Sequence, residues 1–366
     1  MIDPIRDFLA ARIEAGDTPS ASWCVTGPER IIAEGVLGHA VLEPHREPAT
    51  PDTLYDLASL TKPLVTAALT LLLGRELGMR REDSIVRYLP ELDRMRLKPI
   101  TLQHLMTHTS GLPAWMPLYI SAGSLEGYLR LIRDAGLQAG PGAQVIYSDL
   151  GYMLLGEALA RCATMSLDAL ARQAIFTPLG LGSTLFTPGA ARKVQVAATE
   201  DSCKYERRMA GDAAARYTGW RGGIIRGEVH DQNAWALGGV AGHAGLFSTA
   251  RETARIAGEY LGWGCSMLDG ESRRLAAEDL TPGLAESRSI AFRVALRGET
   301  AAGPALSPES FGHNGFTGTS VWIDPRRQRV HVLLTNRVHP VATDAVDMQA
   351  LRRGFHAAAV SFERPA

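Results

Sequence analysis

Lysine is nearly missing from this chain. Of its 38 basic residues only Lys62, Lys98, Lys193 and Lys204 are lysine; the rest are arginine. The arginines are scattered or paired, as in Arg80-Arg81 and Arg326-Arg327, and never form a long basic run. With a net charge of −1 over 366 residues, this argues against a nucleic-acid partner and for ordinary solvated faces. No stretch of about 18 apolar residues occurs, so no membrane span is expected. Cysteine is scarce too. Cys24, Cys162, Cys203 and Cys265 lie far apart with no Cys-x-x-Cys, which favours reduced, buried thiols over bridges. The N-terminus, Met-Ile-Asp-Pro-Ile-Arg-Asp, has acids early and no apolar core before a small-residue cleavage site. No export signal is read there, and a cytoplasmic location is expected. No Gly-x-Ser-x-Gly is present, which disfavours an α/β-hydrolase esterase.

The 46% hydrophobic fraction is ample for a core, and the length suits two domains or one large α/β unit. Apolar spacing predicts an amphipathic helix over 3–14, then strands over 21–26 and 31–37 around a Gly-Pro-Glu-Arg turn. A short strand over 53–57 follows. Helical signals dominate from 79 to about 190, clearest at 102–106, 124–135, 150–161 and 167–175, with breaks at Pro90, Pro99, Pro113 and Pro141-Gly142. Residues 200–245 are Gly-rich and irregular, which favours a functional loop over a linker. A hairpin is predicted from 316–323 and 328–334 around Asp324-Pro325-Arg326-Arg327, and a last helix over 343–359. Strands at both ends with a helical middle suggest an α/β sheet domain over 1–78 and 190–366, with a helical domain inserted over 79–189 and the site between them.

Ser59-Leu-Thr-Lys62 opens the longest apolar helical stretch, which ends at Gly74 or Gly78. Ser and Lys three residues apart share one helix face. Pro63 is tolerable only in the first turn, which places Ser59 at the helix N-terminus. There a hydroxyl, an ammonium and free backbone N–H groups converge, as an activated nucleophile requires. The bland alternative is an N-cap serine and a solvated lysine. His104 and His108 stand four apart on a helix, but the metalloprotease pattern needs Glu where Leu105 stands, so no metal or other cofactor is expected.

Two further segments accompany the pair: Tyr147-Ser-Asp149-Leu-Gly-Tyr after the Pro141-Gly142 turn, and Gly312-His313-Asn314-Gly315-Phe316-Thr-Gly. With Thr101-Leu-Gln103-His104-Leu-Met-Thr-His108, these motifs resemble the serine β-lactamase and penicillin-binding protein superfamily over about residues 20–340. The nearest resemblance is to its class C-type branch, which also holds D-amino-acid-specific peptidases, carboxylesterases and acyltransferases. The resemblance implies a β-lactamase/transpeptidase-like fold: an antiparallel sheet flanked by helices, plus an all-helical domain. It implies cofactor-free serine hydrolysis of a small ester or amide, with no nucleic-acid or membrane partner. Ser59 would form an acyl-enzyme, Lys62 would lower its proton affinity and shuttle its proton, and Tyr147 would act as base. The backbone N–H groups of Ser59 and of Phe316, on an edge strand, would form the oxyanion hole. Gln103, Asp149, His313, Asn314, Gly315 and Arg337 would contact substrate.

Three departures bear on substrate. Asp149 stands where the pattern has Asn; a carboxylate can pair with Lys62 but cannot donate to a substrate carbonyl. His313 replaces a lysine and is mostly neutral near pH 7 unless shifted, which weakens a grip on a substrate carboxylate and predicts weak β-lactam hydrolysis. Arg337 is the alternative source of that charge. The missing export signal counts against the rival readings of β-lactamase and D-Ala-D-Ala carboxypeptidase, and a non-catalytic binding or sensory module on the same fold is the rival from another class. His230, Asp231 and His243 either line the cleft or satisfy buried loop backbone. Oligomeric state is left open.

Overall fold

The computed structural model describes residues 3–362. Among them run the strands β1 (Ser20–Thr26), β2 (Ile31–Val41), β3 (Glu47–Pro48), β4 (Tyr55–Asp56), β5 (Leu185–Phe186), β6 (Leu246–Ser248), β7 (Arg293–Val294), β8 (Phe311–Asn314), β9 (Ser320–Asp324) and β10 (Arg329–Thr335). The main sheet is antiparallel in the order β3-β2-β1-β10-β9-β8-β7, so β1 near the start of the chain pairs with β10 near its end. A small sheet, β4-β6-β5, ties the segment before Ser59 to two distant parts of the chain.

Alternation along the strands explains the layers. Trp23, Val25 and Leu333 face Ile5, Leu9 and Phe355 from the helices Pro4–Glu14 and Met348–Phe362. Cys24, Val330, Val332 and Leu334 face the opposite way, into a cluster that also takes Leu64, Leu69, Ile256, Leu105, Tyr128 and Leu154. One continuous apolar core therefore joins the sheet to the helical stretch. That stretch has the expected helices, Leu125–Ala135 after the N-cap Ser124 and Asp149–Ala163 after the N-cap Ser148. It ends with β5 pairing to β6.

Three local expectations need correction. Residues 315–319 form a turn, not the start of a strand, and β8 and β9 make a hairpin of their own. Gly318 there has φ +102°, and a Cβ would lie 1.9 Å from Thr335 Oγ1. Phe316 therefore lies on no strand, and β7 covers the outer side of β8. The last helix starts at Met348, five residues late, because Asp347 caps it by accepting from the Ala350 N–H while Arg337 draws the Thr343 carbonyl into a bend. The helix carrying His104 ends at Met106, and His108 has φ 59°, so the two histidines do not share a helix. No helix among the described residues is long and apolar enough to cross a membrane.

Two buried histidines predict acid sensitivity. His331 of β10 and His356 of the last helix lie with ring centroids 5.7 Å apart, both fully buried. His356 Nδ1 donates to the Ala301 carbonyl, while its Nε2 and both His331 nitrogens have no partner among the described residues. Burial holds both rings neutral, pulling His331 down to about 3 and His356 to about 4. The unfolded chain takes up these protons near 6.5 and the folded chain does not, so stability falls as pH drops from 6.5 towards 4. The expected loss is on the order of a few kcal/mol by pH 4. Thermal melts across that window check it: His331→Val should flatten the acid limb, and an unchanged slope in that variant would contradict the assignment.

Candidate active site

Ser59 is held by an over-determined backbone. β4 leads through Leu57 into a single turn, Ala58–Leu60, and Ala58 has φ 48°, an unfavourable value for a residue with a Cβ. Buried Asp56 fixes that turn: one carboxylate oxygen accepts from the Ala58 N–H at 2.8 Å, the other from the His230 N–H at 2.6 Å. The β8–β9 turn clamps it from the other side. Thr317 Oγ1 donates to the Asp56 carbonyl at 2.7 Å, and Thr319 Oγ1 to the Leu57 carbonyl at 3.0 Å. A Cβ on Gly315 would stand 2.6 Å from the Leu57 carbonyl and 3.4 Å from Ala58 Cβ, so glycine is what lets this turn reach the nucleophile. The helix beyond opens as a π-helix, Lys62–Ala67, before Ala68–Leu73 becomes regular. Pro63 has no N–H to give there, and the Thr66 hydroxyl donates to the Gly242 carbonyl instead of back-bonding.

Lys62 is fully buried. Its Nζ donates to Ser59 Oγ at 2.8 Å and to the His243 carbonyl at 3.0 Å, and lies 2.7 Å from Asp149 Oδ1. Burial pulls its pKa down, but Asp149 and Tyr147 more than offset that, and the net shift is upward. Lys62 is therefore an ammonium in the free site. The Tyr147 ring centroid lies 5.1 Å from Nζ.

Tyr147 is placed by the N-terminus of the Asp149–Ala163 helix and by His108. The His108 ring centroid is 4.3 Å from that of Tyr147, and its Nδ1 accepts from the Ser148 N–H. The Arg288 guanidinium sits 5.6 Å from the Tyr147 ring centroid and the His313 ring 5.7 Å from it. His108 and His313 are both held well below the usual histidine range, first by burial and then by the Lys62 and Arg288 charges. His313 is thus neutral, donating from Nδ1 to the Asn314 carbonyl.

Ser59 and Tyr147 lie between two cavities of opposite character. One, of about 390 Å³, is lined by Arg288, Arg293, Arg337 and Arg352, with Glu299 the single carboxylate of the lining among the described residues; Glu286 pairs with Arg288 and Arg293. Arg352 is the least compensated of these: Nη2 donates to the Gly315 and Thr319 carbonyls, Nε has no partner among the described residues, and burial with repulsion from Arg337 lowers its pKa to about 9. The other, of about 230 Å³, carries Asp149, Glu206 and Asp231 among Trp115, Tyr205 and Phe316.

The sequence-predicted residues divide. Ser59, Lys62, Tyr147, Asp149, His313, Asn314, Gly315 and Phe316 come together around this cleft. Arg337 lines it, but Nε is spent on the Phe316 carbonyl and Nη1 on that of Thr343. Gln103 is not part of it: its Oε1 accepts from Arg81, away from both cavities. His230, Asp231 and His243 do both things allowed to them. They line the smaller cavity, while Asp231 also caps the Gln232–Ala236 helix and accepts from His243. Asp56, Arg288 and Arg352 went unread in the sequence. Asp56 carried a usable signal, a lone acid three residues before Ser59; the two arginines carried none among the chain's 34.

Comparisons with known proteins bear on the family and the fold. The Beta-lactamase family model matches residues 5–354. A Salmonella agona (strain SL483) protein named "Putative D-alanyl-D-alanine carboxypeptidase" is 32% identical, over 96% of this chain and 86% of its own. Two solved structures share the fold: "EstCE1, a hydrolase with promiscuous acyltransferase activity" (TM-score 0.75, 20% identity, 97% of each chain) and a penicillin-binding protein homologue from Caulobacter crescentus (TM-score 0.75, 19% identity, 98% of this chain and 96% of that one).

Proposed function

The chain belongs to the Beta-lactamase family of serine hydrolases, and from that premise we propose that it cleaves a small ester or amide whose leaving half carries a carboxylate. Ser59 attacks the carbonyl carbon, Tyr147 takes the hydroxyl proton, and the Lys62 ammonium stabilises the oxygen anions of both hydroxyls. The backbone N–H groups of Ser59 and Phe316 receive the oxyanion. The leaving half departs with the proton, and water activated by Tyr147 frees the acyl group.

The observation that carries the substrate half is Arg352. A buried guanidinium with no carboxylate partner among the described residues is costly, and a substrate carboxylate in the four-arginine cavity would compensate it. Arg352 thereby supplies the charge that neutral His313 cannot, while Arg288 is paired with Glu286. The name of the Salmonella relative favours one member of this class, release of a C-terminal amino acid from a peptide.

Paired thioester or ester substrates with and without a carboxylate on the leaving group test the reading. The carboxylated member is expected to show a kcat/KM at least about tenfold higher, the scale of one charge-assisted contact. Arg352→Met should remove most of that advantage through KM. Equal kcat/KM for the two members would refute the leaving-group assignment. An intact-mass adduct on Ser59 with a fluorophosphonate, a penicillin or a short-chain p-nitrophenyl ester tests the chemistry independently.

A further inference from the structure

One imidazole beside the nucleophile is fixed at its backbone and at its ring. His230, only 6% exposed, lines the cavity of about 230 Å³ that Ser59 and Tyr147 also line. Its N–H donates to Asp56 at 2.6 Å, and the same carboxylate holds the Ala58 N–H, so His230 and the nucleophile share one anchor. Its carbonyl accepts from Arg221 Nη2 at 2.7 Å, while Nη1 of that buried guanidinium holds the Val229 carbonyl. Its ring stacks on Phe316, with centroids 5.4 Å apart and 27° between the planes. Its Nε2 meets Glu200 Oε2 at 3.2 Å; Glu200 is fully buried, and its Oε1 accepts from the Tyr205 N–H at 2.6 Å. A carboxylate only accepts, so Nε2 carries the ring proton and Nδ1 of the neutral ring is an acceptor. Nδ1 has no hydrogen-bond partner among the described residues, and burial does not strand it as it strands His243 Nδ1. A ring oriented by a buried acid, with a free lone pair in the nucleophile's own cavity, is built like a proton acceptor rather than like packing.

We propose that His230 Nδ1 holds the water that frees the acyl group from Ser59, and so makes water the preferred acyl acceptor. The inference rests on the acyl-enzyme reading and adds the acceptor to it. Water has two O–H groups. One gives its proton to Tyr147 as the oxygen attacks the acyl carbon; the other donates to His230 Nδ1 and stays on the product. The bond from the acyl carbon to Ser59 Oγ breaks, Oγ takes the proton from Tyr147, and the carboxylic acid formed ionises to solvent. With both hydrogens held, the water oxygen turns a lone pair to the carbon. An alcohol has one O–H, which Tyr147 takes, and nothing left for Nδ1. The Glu200–His230 pair therefore selects hydrolysis over transfer to an alcohol.

The test follows the acetyl adduct that p-nitrophenyl acetate leaves on Ser59, by quenched intact mass, in buffer and with added methanol. His230→Phe keeps an aromatic ring against Phe316 and removes Nδ1. Adduct formation should be nearly unchanged there, while decay in water slows about tenfold, the scale of one hydrogen bond to the reacting molecule. The ratio of methyl acetate to acetate should rise by a similar factor. Glu200→Gln keeps the whole histidine and tests the tautomer. The amide oxygen still accepts from the Tyr205 N–H, the NH2 faces Nε2, and Nδ1 must then carry the ring proton and can only donate. The same slowing and the same rise in ratio are expected, and this variant carries the test if His230→Phe fails to fold. A merely looser frame around Ser59 would slow adduct formation, hydrolysis and methanolysis together. That pattern, or a ratio unmoved in both variants, would overturn the proposal. Absence of any acetyl adduct on wild-type Ser59 would sink the acyl-enzyme reading and the water site with it; adducts that form on wild-type protein and decay alike in all three proteins would sink the water site alone.

Discussion

Ser59→Ala is expected to remove turnover altogether, by about 10⁶-fold, the scale on which loss of a nucleophile removes the whole catalytic unit. Covalent labelling should vanish with it. The fold should survive, and the structure says why. Ser59 Oγ is only one of the groups around Lys62 Nζ; Asp149 and the His243 carbonyl remain, so the buried ammonium stays paired. The backbone turn is held by Asp56, Thr317 and Thr319 rather than by the serine side chain. A stability change of about 1 kcal/mol is therefore the expected ceiling. Intact mass after fluorophosphonate treatment, with a thermal melt of the same sample, measures both halves. Labelling that persists on another serine in this variant would move the nucleophile elsewhere.

What the sequence made legible was short-range. Ser59, Lys62 and Tyr147 were readable because each sits at a helix start marked by its own neighbours: Pro63 after the first, Ser148 as N-cap after the last. The one long-range feature read was a sheet built from both ends of the chain, from the apolar runs there; that β1 pairs with β10 was not. Side chains that gain meaning only from distant partners were illegible. Arg352 is one arginine in a terminal helix until that helix packs its side chain beneath the Gly315 and Thr319 carbonyls. Glu206 is an ordinary helix acid until folding buries it beside Asp231 and Tyr119. The 315–319 turn was misread as strand because its threonines suit a strand, whereas here their hydroxyls are spent on the Asp56 and Leu57 carbonyls and Gly318 turns the chain.

Tyr147→Phe is expected to lower kcat by about 10²–10⁴-fold, the usual cost of losing one general base, with KM little changed. The ring keeps its place against His108 and beneath Arg288, so packing is preserved. Lys62→Met should cost at least as much, because it removes the charge that stabilises both hydroxyl anions. It also leaves Asp149 without its cation, so its fold must be checked by thermal melt. Asp149→Asn then decides what Lys62 does. In the native site burial pulls Lys62 down while Asp149 and Tyr147 together push it up. Removing the Asp149 charge leaves burial less opposed, and the Lys62 pKa must fall. If the reaction needs Lys62 as an ammonium, with Tyr147 as the base, activity is lost at a lower pH than in the native protein, and the alkaline limb of kcat/KM moves towards acid. If neutral Lys62 were itself the base, the acid limb would move instead and the variant would gain activity at low pH. The displacement of the limb, not its absolute position, is the readout. A shifted alkaline limb in Asp149→Asn together with the loss in Tyr147→Phe assigns the base to the tyrosine. A shifted acid limb, or a Tyr147→Phe protein with nearly full kcat, hands that role to Lys62.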